Sequence, residues 1–238
     1  MIINNVNRKI RQVVRYFRGY SPPGTVDFGD LYRLTPLSCE FGFDRGQPID
    51  RYYIEKFLAN QASHIQGKIL EVGDATYTNK FGGDAVSQSE VLHVNGDNPN
   101  ATIVADLTDA PQINSNQFDC FILTQTLNCI YDLQAAITTC HRILKPGGIL
   151  LATLPGITQL PHDQWQSYQS WSLTPTSAQK IFETCFPTEY LQITAHGNVL
   201  ASISFLMGIS SQELTQKDLD FHDPQFPLLI TVKAVKFQ

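Results

Sequence analysis

The sequence predicts an α/β fold, a doubly wound, mostly parallel sheet with an antiparallel C-terminal edge. Three observations predict it. Short apolar runs alternate with stretches of helical periodicity between residues 48 and 153. The first of these runs, Lys68-Ile69-Leu70-Glu71-Val72, ends on a glycine, Gly73. The last third closes on an apolar, β-branched run over 228–237, which suits an edge strand pair.

In chain order, Ile10, Val13, Val14 and Phe17 fall at i, i+3, i+4 and i+7 and predict an amphipathic helix. Arg8, Lys9, Arg11, Arg15 and Arg18 make it basic. It reads either as a packing helix with a solvated face or as a helix touching an anionic membrane surface. Residues 21–50, rich in Gly, Pro and Asp, predict an irregular cover loop. Pro48 suits the first turn of a helix over 48–62, with Ile49, Tyr53, Ile54, Phe57 and Leu58 on its apolar face. Strands follow over 68–72, 90–94, 101–105 and 118–124. A helix over 133–144 is stopped by Lys145-Pro146-Gly147-Gly148, before a strand over 149–153. Thr174-Pro175-Thr176-Ser177 starts a helix over 176–186. A strand over 190–195, a helix over 198–207 and a strand over 228–237 complete a hairpin-like edge. Strands separated by helices imply right-handed crossovers and a Rossmann-like sheet, with ligands at the carboxyl ends of the strands. Residues 1–66 are expected to supply N-terminal helices and the cover, and 67–238 the main domain, as a single structural unit.

The composition suits a globular protein, at 42% hydrophobic and 16% charged residues over 238 residues. A net charge of −5 argues against a nucleic-acid partner, which usually meets a basic face. Five scattered cysteines (Cys39, Cys120, Cys129, Cys140, Cys185) show no C-x-x-C spacing. They predict reduced, mostly buried thiols in a cytoplasmic protein and no metal site. No apolar run reaches the roughly 18 residues of a membrane span, and no signal peptide is expected.

Two segments carry chemistry. Gly73 lets backbone approach a ligand closely at the end of the first strand, and Glu71 can fix that loop or meet a cationic group. After the strand over 118–124 comes Thr124-Gln125-Thr126-Leu127-Asn128-Cys129-Ile130-Tyr131-Asp132. Asp132 reads as the cap of the next helix, whereas Gln125 and Thr126 lie too far from its start for that role.

The order of these motifs resembles the class I methyltransferases that use S-adenosylmethionine (SAM), of the type 11 kind. Glu71-Val72-Gly73 is followed by Val104-Ala105-Asp106-Leu107, then Phe118-Asp119 and Thr124-Gln125-Thr126-Leu127. Ile130-Tyr131-Asp132, His141-Arg142-Ile143-Leu144-Lys145-Pro146-Gly147-Gly148 and Pro155-Gly156 complete it. The specific match covers residues 68–156. Residues 45–53 and 174–178 also resemble a bacterial group found alongside glycosyltransferases, which implies a glycan-biosynthesis role and a glycosyltransferase partner.

The resemblance implies the class I methyltransferase fold and SAM as cofactor. Glu71, Gly73 and Asp74 would line its methionine end. Asn95, where the family carries an acid, would bond the ribose, and Asp106 and Leu107 would contact adenine. Thr124, Gln125 and Thr126 would sit near the sulfonium. The family pattern is Glu-x-Gly-x-Gly-x-Gly, but Ala75 and Tyr77 replace the second and third glycines. Either the loop takes another path, with Thr76, Tyr77 and Thr78 supplying contacts, or SAM binding is lost and the chain is a non-catalytic scaffold. A nicotinamide-dependent oxidoreductase would need G-x-G-x-x-G after the first strand, and Gly73–Thr78 does not supply it.

The acceptor is expected to be a small molecule or glycan, methylated at oxygen. His162 with Asp163 is the candidate general base. Tyr52, Tyr53, Trp165 and Trp171 are candidates to stack on the acceptor or to pack in the core. Arg45 and Arg51 are candidates to hold an anion or to bridge Asp44 and Asp50.

Overall fold

The computed structural model describes Gly19, Ser21, residues 24–27 and residues 29–237. The basic helix expected around Ile10–Phe17 lies outside the described residues. The chain divides into two compact units, Met1–Pro36 and Leu37–Gln238. In the first, a short 3₁₀ turn at Gly29–Leu31 is started by the Asp27 carboxylate, which accepts the Gly29 N–H at 2.9 Å.

The second unit holds one seven-stranded sheet of order β3-β2-β1-β4-β5-β7-β6. Its strands are β1 Gly67–Val72, β2 Val86–His93, β3 Ile103–Val104, β4 Phe118–Thr124, β5 Leu144–Pro155, β6 Leu191–His196 and β7 Leu229–Val235. β1 to β5 pair in parallel, and β7 runs antiparallel to both β5 and β6. The edge pair is no hairpin, because two helices intervene. The helices are α1 Ile49–Asn60, α2 Thr76–Phe81, α3 Leu133–Ile143, α4 Pro175–Phe182, α5 Val199–Leu206 and α6 Gln216–Asp220.

Both sheet faces are covered, as the continuous apolar character of β4 requires. Phe121 and Leu123 join one buried cluster with Ile137 of α3 and Phe182 of α4. Cys120 and Ile122, alternate along the strand, join a second with Ile54 of α1 and Phe205 of α5. Ile49, Tyr53, Ile54 and Leu58 are thus core, so α1 belongs to the same compact unit as the sheet.

Side chains fix the ends. Asp132 caps α3 by accepting the Ala135 N–H at 3.0 Å, and Thr174 and Ser177 form a capping box on α4. Asp119 accepts the Lys68 N–H at 2.8 Å and the Lys145 ammonium at 2.7 Å, tying β1, β4 and β5 together. The run Lys145-Pro146-Gly147-Gly148 is the bulged start of β5, and it shifts the register against β4. Among the described residues, no helix is long and apolar enough to cross a membrane.

Candidate active site

The carboxyl ends of β1, β2 and β4 open on one cavity of about 880 Å³. That volume suits a small molecule, for which sites run to about 300–1,000 Å³. Gly73 follows β1 at φ +88°, and a Cβ built there would meet nothing within 4 Å. The glycine is required by conformation, and the space above it is open to a ligand.

The altered glycine loop costs nothing in strain. Ala75 sits at φ −108°, which any L-residue adopts, and Tyr77 lies in the first turn of α2. The loop closes on Glu71, which is 2% exposed. Its carboxylate accepts the Tyr77 N–H at 3.0 Å, the Thr78 N–H at 2.7 Å and the Thr78 hydroxyl at 2.7 Å. Burial outweighs these bonds and moves the Glu71 carboxyl above its ordinary range.

Five of the predicted cofactor residues line the cavity: Gly73, Asp106, Leu107, Gln125 and Thr126. Asp106 Oδ1 accepts the Thr108 N–H and hydroxyl, both at 2.8 Å, which leaves its other oxygen for a ligand donor. Gln125 adopts φ +47°, rare for a side chain that bulky, and its N–H donates to the Thr153 carbonyl at 3.1 Å.

Six others stand off the lining. Glu71 acts on the loop, as above. Asp74 Oδ1 holds the Thr76 N–H at 2.8 Å, so both residues serve the start of α2. Tyr77 packs on Phe81 at 6.2 Å between centroids, and its hydroxyl accepts from Arg51 at 3.4 Å. Thr124 remains inside β4, paired with Thr153. Asn95 caps its own turn through the Asp97 N–H at 3.2 Å. His93 lines the cavity where Asn95 does not: β2 ends at His93, one residue earlier than expected. His93 Nδ1 lies 3.1 Å from the Asn95 carbonyl oxygen and 3.5 Å from the Asn95 backbone nitrogen, which fixes the ring over the turn.

The expected base does not line the cavity either. His162 is exposed and makes no hydrogen bond to Asp163, which accepts the Trp165 N–H at 2.9 Å and starts a 3₁₀ turn, Gln164–Ser167. That turn sets Trp165 on the cavity wall, edge-on to His93 with centroids 5.9 Å apart. Of the other aromatic candidates, Tyr53 donates to the Leu219 carbonyl at 2.8 Å and Tyr52 to Asp220 at 2.6 Å. Trp171 donates to the Ile130 carbonyl at 3.0 Å. Arg45 pairs with Glu213 rather than Asp44. Arg51 lines the cavity with Asp50.

Sheet order, antiparallel β7 and a ligand cavity at the strand ends define the class I methyltransferase fold. Residues 85–152 match the family model described as a methyltransferase domain. A SAM-dependent methyltransferase from Archaeoglobus fulgidus superposes with TM-score 0.53 at 12% identity, covering 78% of this chain and 94% of its own. A phosphoethanolamine N-methyltransferase from Haemonchus contortus, solved with SAM, does so with TM-score 0.50 at 14% identity, covering 92% and 62%. The cyclase SpnF gives TM-score 0.53 at 14% identity, covering 81% and 83%. No curated protein matches the chain. The matched domain and the shared fold support a SAM-dependent methyltransferase, with SAM as its cofactor.

Proposed function

We propose that this chain transfers the methyl group of SAM to an oxygen of a small-molecule or glycan acceptor. One observation carries the reading: Gly73, His93, Asp106, Gln125 and Thr126, from four separate segments, meet in a single cavity at the strand ends. SAM supplies a methyl group already activated on a sulfonium, so the chain's task is to hold, align and exclude water.

Arg51 would hold the cofactor's carboxylate, through the charge-assisted fork suited to that group. His93 would hydrogen-bond a ribose hydroxyl, in place of the family's acid. Asp106 would accept the adenine amino group and Leu107 would pack on the ring. Gln125 and Thr126 would face the reacting end. The glycan context and a glycosyltransferase partner rest on the sequence resemblance alone. The cytoplasmic setting rests on five unbridged cysteines.

Calorimetric titration with SAM and with S-adenosylhomocysteine tests the reading. Micromolar binding of both is expected. A folded sample that binds neither would leave the scaffold reading, although Ala75 no longer argues for it.

A further inference from the structure

The cavity holds a second feature that cofactor binding leaves unused. Asp50, in the first turn of α1, lines it, is 9% exposed, and carries an Oδ1 with no hydrogen-bond partner. Acids in a first turn usually cap the helix or answer its dipole. Here α1 has no side-chain cap bond. The adjacent cation, Arg51, donates to the Tyr77 hydroxyl, and among the described residues no ion pair joins it to Asp50. The Arg51 charge and neighbouring backbone N–H groups favour the carboxylate, but a buried Oδ1 without a hydrogen-bond partner remains costly, and a ligand's donor would remove that cost. Around it the same cavity is walled by Phe41, Phe43, Ile157, Phe205 and Leu228. Phe41, Ile157, Phe205 and Leu228 belong to the same apolar cluster as Ile49, the residue before Asp50.

We propose that Asp50 is the specificity-determining residue for the acceptor, receiving the hydrogen bond of a hydroxyl carried on an apolar or aromatic body. This rests on the methyltransferase reading and narrows its acceptor. An ammonium would also satisfy a carboxylate, but it carries three donors where Asp50 Oδ1 is the one unpartnered acceptor, whereas a hydroxyl has the single donor that atom takes. Burial, which raises the Asp50 carboxyl above its ordinary range, works in the same direction by disfavouring a charged pair.

The test uses the full chain loaded with S-adenosylhomocysteine and three matched probes: benzyl alcohol, benzylamine and toluene. Benzyl alcohol is expected to bind at least tenfold tighter than toluene and tighter than benzylamine, and Asp50→Leu to erase the preference over toluene. Equal binding of alcohol and toluene to the unaltered protein overturns the proposal, and preference for benzylamine overturns the hydroxyl assignment. Asp50→Asn provides a check independent of the probes. It is expected to melt higher than the unaltered protein and to bind SAM within threefold of it. A lower melting temperature would make Asp50 structural, and a tenfold loss of SAM affinity would place it in the cofactor site. Failure of the unaltered protein to bind SAM or S-adenosylhomocysteine at all would instead sink the methyltransferase reading.

Discussion

Two residues in the cavity wall hold backbone angles that decide what can replace them. At Gly73, φ +88° would cost an alanine about 1–2 kcal/mol, and its methyl would enter the space left for the ligand. Gly73→Ala is therefore expected to weaken SAM binding at least tenfold by calorimetry and to lower the melting temperature. Ala75→Gly is the control. At φ −108° the backbone needs no glycine, so affinity should stay within threefold, and because residue 75 is the N-cap of α2, where glycine serves at least as well as alanine, stability should not fall. Tightening of SAM by Ala75→Gly would contradict this. Gln125 is the converse case: Gln125→Gly relieves about 1 kcal/mol of left-handed strain while deleting a cavity side chain. It should raise stability in denaturant titration and weaken SAM binding. At this scale the sequence identifies Gly73, Asp106 and Gln125, since each immediately follows an apolar run. It expects the ribose contact at Asn95, which caps its own turn, whereas His93, at the end of β2, lines the cavity. His162, expected as the base, is exposed and off the cavity lining. A polar loop pattern says nothing of which side chains turn inward.

Between elements, the governing contact is Glu71 against α2. A helix of six residues, Thr76–Phe81, is too short to stand by propensity and leaves no periodicity to read, so the sequence there reads only as a loop. Three donors on a buried carboxylate supply what propensity does not. Glu71→Ala leaves those donors unmatched and is expected to cost about 3 kcal/mol, at the upper end for loss of a buried partner. Urea titration would measure it. SAM affinity should fall with it although Glu71 does not line the cavity, because Gly73 would lose the turn that holds it open. Unchanged stability would remove Glu71 from the role of organiser. The longer elements were legible for the opposite reason. β4 is a continuous apolar run, and α3 carries Leu133, Ala136, Ile137, Cys140 and Ile143 on one buried face between a readable cap and a readable stop.

For the whole molecule, two linked equilibria should be separable. His64, His141 and His196 all have pKa values lowered in the fold, each mainly by burial, with His196 lowered to about 4. A depressed histidine pKa means that the unfolded chain binds more protons between the folded value and the ordinary value near 6.5. Stability is therefore full above the ordinary value and is lost as pH falls from there toward 4. His196→Gln should flatten that slope in melting curves taken across this window. Cofactor linkage acts on the same melting temperature from another place, since none of the three histidines lines the cavity. At a SAM concentration of 100 times its Kd, binding to the folded state alone contributes about 2.7 kcal/mol. For a chain of this length each kcal/mol moves the midpoint by roughly 2–4 °C, so SAM should raise it by about 5–11 °C. The shift should persist in His196→Gln and shrink in Gly73→Ala. A SAM-induced rise that disappeared with His196→Gln would mean that the two sites are coupled through the sheet. No rise at saturating SAM, in protein that melts cooperatively, would mean that the cavity at the strand ends serves another ligand.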